Sequence, residues 1–351
     1  MDFSHIENST IVRSNDAPDS SPPPATPAGP ALEARPAQAS WLRRDRRMAL
    51  LRAWMRLLSR TAPSRAVSLF DRLWFSAPRN AHRADTEAWL AQAEPLDVRV
   101  HGRRVAAWSR GHGPAILLVH GWGGNAGQMR ALADPLLAQG FRVVLFDAPA
   151  HGLSDSSRLG GRRVSMLEIA DALRVVAAAA GPIAGLVAHS GGCTATALAL
   201  RDGWRGPQRI AFVAPFALPS EAIEPFGQAI GASADVTARF RAMVERRFGR
   251  PWTDFDMPGL ASRRTVPPLL VVHDRDDREV PPFHGRSVTR AWPDARLFET
   301  CGLGHRRLLR DAGVVSEIAR FLAPLRPRSP TQPPASARGE LDRAYAGLSL
   351  R

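Results

Sequence analysis

Two hydrophobic rhythms divide this chain. The run 115–119 is apolar throughout, as suits a strand buried on both faces of a parallel sheet. Runs 142–146, 185–188, 209–214, 269–273 and 295–298 read as further strands. Between them, 128–139, 165–180, 194–200, 283–290 and a last stretch ending near 322 carry helical patterning. Just before the first run, 96–100 and 105–108 alternate about His101 and Gly102, which predicts a hairpin. Regular alternation of strand and helix implies right-handed crossovers, with functional loops at the carboxyl ends of the strands. The expected class is therefore α/β, a mostly parallel sheet flanked by helices.

The rhythm breaks in three places. Segment 220–264 has helical patches at 221–229 and 236–248 and a loop-like 249–255, and it looks inserted between two strands. Ahead of the sheet, 38–93 forms a basic helical extension: Trp41, Met48, Leu51, Trp54, Met55, Leu57 and Leu58 recur at helical spacing among arginines, and a second helix covers 67–75. Docking on the main domain or on a second subunit is the favoured place for the basic helix, and peripheral contact with an anionic membrane surface is the alternative. At the ends, 1–37 is rich in proline and alanine and 326–351 in proline and arginine; both read as flexible tails, the second with a short helix near 341–345. The core is left with 94–219 and 265–325.

Composition changes the picture only slightly. With 351 residues, 44% of them hydrophobic, the chain has enough apolar material for a large core. Its net charge of +14 invites a nucleic-acid reading. All 47 basic residues are arginine, however, and they are spread along the whole chain, so coding bias explains the charge and no nucleic-acid partner is expected. No run of 18 uncharged apolar residues is present, and 1–11 lacks the basic start and apolar centre of a secretory leader. Cys193 and Cys301 make neither a disulfide framework nor a metal-ligand spacing, and a reducing cytoplasm is the expected location.

The candidate chemistry lies at the strand ends. At 185–193 an apolar run breaks at Ser190 among the small residues Ala188, Gly191 and Gly192 and then enters a helix, a strand, sharp turn and helix that would hold the serine hydroxyl clear of the surface. Ester or amide hydrolysis through a serine needs that hydroxyl, a neutral imidazole, a carboxylate to orient the imidazole, and donors for the oxyanion. Asp277 follows the strand ending at His273, in a D-x-x-V-P run, and His305 sits in a Gly-x-Gly-His loop after the next strand. Asp274 and Asp276 crowd Asp277; the spacing to Val280 and Pro281 favours Asp277 over Asp276. Buried packing is the expected place of Cys193, and His120, His189, Asp147 and His151 are read as holding loops.

The runs LLVHGWGG (117–124), FDAPAHGLSD (146–155), AHSGG (188–192), VVHDRDDREVP (271–281) and GLGHRRLL (302–309) together resemble the α/β-hydrolase superfamily over about 96–322. The resemblance implies an α/β-hydrolase fold, a catalytic triad of Ser190, Asp277 and His305, an oxyanion hole of the Trp122 and Gly191 backbone amides, and a small helical cap at 220–264. Ala188 departs from the usual first glycine of the elbow, and Asp274 stands where a glycine commonly follows the strand histidine. The expected function is a serine esterase acting on a small-molecule acyl ester or thioester through an acyl-enzyme, with no cofactor and no metal. Acyl transfer on the same triad and ligand binding without turnover are the alternatives. Phe226, Phe240, Met243, Phe248 and Trp252 are available either to line an apolar cavity or to form the core of the cap. Oligomeric state and acyl chain length are not written in the sequence.

Overall fold

The strands join one sheet in the computed structural model, which describes residues 46–261 and 265–323. The two expected tails, the expected short helix near 341–345 and the part of the basic helix before Arg46 lie outside the described residues. The hairpin is β1 (Glu94–Val100) and β2 (Arg103–Arg110), turning at His101 and Gly102 with φ of 49° and 76°. The remaining strands are β3 (Ala115–Val119), β4 (Arg142–Phe146), β5 (Ile183–His189), β6 (Arg209–Val213), β7 (Leu269–Asp274) and β8 (Ala295–Thr300). Their order is β1-β2-β4-β3-β5-β6-β7-β8. The hairpin strands pair antiparallel, β2 meets β4 antiparallel, and every pairing from β4 through β8 is parallel.

Helices preceding the sheet are α1 (Arg46–Thr61), α2 (Pro63–Phe75) and α3 (Ala84–Leu90). Those crossing between strands are α4 (Arg130–Ala138), α5 (Met166–Ala180) and α6 (Gly191–Arg201), and the insertion carries α7 (Ile223–Ile230), α8 (Ala234–Phe248) and the single turn α9 (Pro258–Ala261). The chain then forms α10 (Phe283–Ala291), α11 (Gly304–Arg307) and α12 (Ala312–Leu322). Strand β3 shows how the layers arise. All five of its residues are buried; Ala115, Leu117 and Val119 join the apolar cluster of α5 and α6, while Ile116 and Leu118 join that of α4 and α12. A strand covered on both faces must be apolar at every position, which is the pattern 115–119 displays. No helix among the described residues is long and apolar enough to cross a membrane.

Three features depart from the expected pattern. Helix α3 has no amphipathic signature long enough to announce it; Asp85 and Glu87 in its first turn suit the helix dipole, and Trp89 and Leu90 bury its end. A 3-10 turn at Ala126–Met129 begins the helix expected over 128–139, and another at Trp252–Phe255 lies within the stretch expected to be loop. The largest difference is tertiary: the helices before the sheet and those of the insertion form one apolar body. Helix α1 buries Met55 and Leu58, and Arg52 Nε donates to the Ala229 carbonyl at 2.8 Å. Phe70 of α2 stacks on Phe240 of α8 with ring centroids 4.1 Å apart, and the buried Asp71 pairs with Arg247 at 2.6 Å. Phe70 is fully buried, so Phe70→Ala should lower the unfolding free energy by about 3–5 kcal/mol in denaturant titrations.

Candidate active site

The turn after β5 is held in an unusual backbone conformation. Ser190 has φ 52° and ψ −120°, a region that costs about 1–3 kcal/mol and persists only where the surroundings enforce it. Here they do. A Cβ on Gly192 would fall 2.5 Å from the His120 carbonyl oxygen and 2.9 Å from that of Val119, so only glycine lets α6 pass the end of β3. The Ser190 amide donates to the Val213 carbonyl at 3.0 Å, and the Thr194 hydroxyl to the Phe216 carbonyl at 2.6 Å, tying the turn to β6. Ala188, the departure noted in the sequence, is fully buried in the core, where its methyl group has a place.

Asp277 and His305 come to this turn from the next two strand ends. His305 Nε2 lies 3.0 Å from Ser190 Oγ, and His305 Nδ1 lies 2.7 Å from Asp277 Oδ2. Asp277 Oδ1 accepts from the amides of Glu279 and Val280, each at 2.9 Å, and His273 Nε2 stands 3.4 Å from Oδ2. Burial opposes ionisation of Asp277, but hydrogen bonds from His273 and His305 outweigh it and hold the carboxyl well below the usual carboxylate range. The neighbouring acids have other tasks. Asp276 is exposed, and its Oδ2 accepts from the Gly302 amide at 2.8 Å. Asp274 accepts from the Thr300 hydroxyl at 2.6 Å and the Leu303 amide at 3.0 Å, fixing the loop that carries His305.

A sequence model described as "alpha/beta hydrolase fold" matches residues 114–255, the stretch from β3 through the 3-10 turn of the insertion. The chain has the α/β-hydrolase fold. Among similar proteins, a serine hydrolase-like protein of Danio rerio is 36% identical over 89 residues, 25% of this chain and 27% of that relative, so the match spans about a quarter of the relative's length. A pimeloyl-[acyl-carrier protein] methyl ester esterase of Xanthomonas axonopodis pv. citri is 29% identical over 251 residues, covering 61% of this chain and 96% of that one. In solved structures, an esterase of Pyrococcus furiosus shares the fold with a TM-score of 0.53 at 16% identity, covering 72% of this chain and 97% of that chain. A thermophilic esterase of Thermogutta terrifontis does so with 0.50 at 20%, covering 67% and 100%.

The α/β-hydrolase loop at 120–126 is built for stiffness. Gly191 heads α6, where amides have no acceptor within the helix, and a Cβ placed on it would stand 3.6 Å from the Trp122 nitrogen, so the Trp122 and Gly191 backbones lie together beside Ser190. His120 Nε2 accepts from the Ala148 amide at 2.9 Å while its Nδ1 donates to the Gly121 carbonyl at 2.8 Å. His151 Nε2 accepts from the Gly123 amide at 3.0 Å, and its Nδ1 donates to the Pro149 carbonyl at 3.0 Å. Asp147 takes the amides of Ala126 and Leu153 and the Nε2 proton of His82, each at 2.7 Å. His82 carries no sequence signal for this role; it comes from the extension, and only the folded chain brings it to Asp147.

Ser190 stands between two spaces. One is an open cleft of about 990 Å³ bordered by the 121–124 loop, Arg83, Arg130 and Arg306. The other is an apolar pocket of about 330 Å³ beneath the inserted helices. Phe226, Phe248 and Trp252 line the pocket, whereas Phe240 and Met243 belong to the aromatic core behind it. Trp74 and Phe75 of α2 complete the wall; their helical pattern predicts burial, but nothing in the sequence says against what.

The buried histidines have a cost in acid. Burial is the largest cause that lowers the His151 and His189 pKa values from 6.5 to about 3, and for His189 the neighbouring His305 adds to it. The unfolded chain takes up these protons below pH 6.5 while the folded chain refuses them. Their stabilisation is therefore complete above that pH and falls away toward pH 3, by about 1.4 kcal/mol per pH unit for each histidine. Urea titrations at decreasing pH below 6.5 should show this slope, and His151→Gln, which keeps an acceptor for the Gly123 amide, should make it shallower.

Proposed function

We propose that this enzyme is a serine hydrolase that cleaves carboxylic esters or thioesters through an acyl-enzyme, with Ser190 as nucleophile, His305 as general base and then acid, and Asp277 as the group that orients the imidazole. The observation that carries the reading is the hydrogen-bonded chain from Asp277 through His305 to Ser190, ending where the two spaces meet. In the first half-reaction the Ser190 proton passes to His305 Nε2 as Oγ bonds to the substrate carbonyl carbon. The amides of Trp122 and Gly191 receive the oxyanion, and the collapsing intermediate releases an alcohol or thiol that takes the proton from His305. Water, deprotonated by His305, then attacks the acyl-Ser190 ester, and the acid leaves as the serine regains its proton. Asp277 keeps the proton on Nδ1 and remains a carboxylate throughout.

The apolar pocket suits the acyl chain and the open cleft the leaving group. A relative named for methyl ester hydrolysis supports ester chemistry of this kind. Acyl transfer would begin from the same acyl-enzyme, and product analysis with competing alcohols, amines and peroxide separates it from hydrolysis.

A tagged fluorophosphonate should label the wild type, and neither Ser190→Ala nor His305→Ala should be labelled. Asp277→Asn should fold normally and lose about 10³–10⁴-fold in kcat. Full ester hydrolysis by Ser190→Ala would overturn the mechanism. Within the pocket, Val244→Trp should shift kcat/KM toward shorter acyl chains in a series of p-nitrophenyl esters, because Val244 lies on the pocket wall away from the reacting atoms.

A further inference from the structure

Leu50, Trp54 and Leu57 are the three most exposed large apolar side chains among the described residues, at 71%, 53% and 50%. Spaced four and then three residues apart, they share one face of α1. No described residue covers that face. Met55 and Leu58 point inward on the other side, and the helix is fastened by the bond from Arg52 to Ala229 and by the Ser233 amide donating to Ser59 Oγ at 3.4 Å. Helix α1 thus has two apolar faces, one consumed by packing and one open to solvent.

The surroundings of the open face identify what would cover it. Arg46, Arg56 and Arg60 are exposed beside it, and α1 contains no acidic residue. A stripe of leucine and tryptophan edged by arginine matches a lipid surface: the apolar side chains enter the boundary between headgroups and acyl chains, and the guanidinium groups meet phosphates. A second copy of this chain fits the stripe less well, because two-fold pairing would bring two arginine rows together with no acid on either helix.

We infer that α1 is a surface anchor that lays Leu50, Trp54 and Leu57 into an anionic lipid leaflet. None of these residues belongs to the active site, so the inference stands apart from the proposed chemistry. It bears on access nonetheless: α1 is hydrogen-bonded to the inserted helices, and the adjoining α2 supplies Trp74 and Phe75 to the apolar pocket.

The full chain should co-sediment with vesicles of mixed phosphatidylglycerol and phosphatidylcholine at least about tenfold more tightly than with phosphatidylcholine alone, and added salt should weaken that binding. The triple variant Leu50→Glu, Trp54→Glu, Leu57→Glu should lose about tenfold or more of the affinity with an unchanged melting temperature. The charge variant Arg46→Gln, Arg56→Gln, Arg60→Gln should lose the preference for the anionic vesicles. Equal binding to both vesicle types, or undiminished binding by the folded triple variant, would overturn the inference. A wild-type dimer that the triple variant dissociates, seen by light scattering, would also overturn it by making a second copy the occupant.

Discussion

A backbone contact with no room for a methyl group governs this structure. Helix α6 starts so close to the end of β3 that Gly192 lies against two carbonyl oxygens, and the chain can make the approach only by turning Ser190 into a positive-φ conformation. The strained turn sets the Ser190 side chain beside the His305 ring, directly at the start of a helix. The parallel order of β3, β5, β6, β7 and β8 then delivers the acid and the histidine to that edge, since every one of these strands ends on the same side.

Rigidity around the turn is obtained by neutral histidines. His120 and His151 each use one ring nitrogen as donor and the other as acceptor, which a charged imidazole could not do. They hold the backbone of the 120–124 loop in place with short-range bonds whose strength is raised by burial. Asp147 gathers three donors into the same network, and one of them, His82, ties the extension to it.

The legible part of the sequence was the part written locally. A strand buried on both faces shows itself as an unbroken apolar run, and β3, β4 and β7 appear at the positions their runs mark. Ser190, Asp277 and His305 stand out because each sits among small or turn-forming residues directly after such a run. Asp276 and Asp277 are adjacent acids that differ in sequence by nothing but register; in the fold one is exposed and accepts from Gly302, and the other turns inward to His305. What stayed hidden depends on contacts distant along the chain. Trp74 and Phe75 read as one side of an amphipathic helix, and no local pattern states that this side closes a pocket with residues from the insertion.

That joint wall sets an order on biosynthesis. Phe70 and the Phe240 it stacks on are 170 residues apart, from 70 to 240. At roughly 5–20 residues per second, a ribosome would leave the apolar face of α2 waiting for about 10–30 s before its partner exists. The nascent chain therefore carries a sticky amphipathic helix through the whole synthesis of the first six strands, β1 to β6. Until residue 240 emerges, the only cover for that face is whatever the unfinished chain can fold over it.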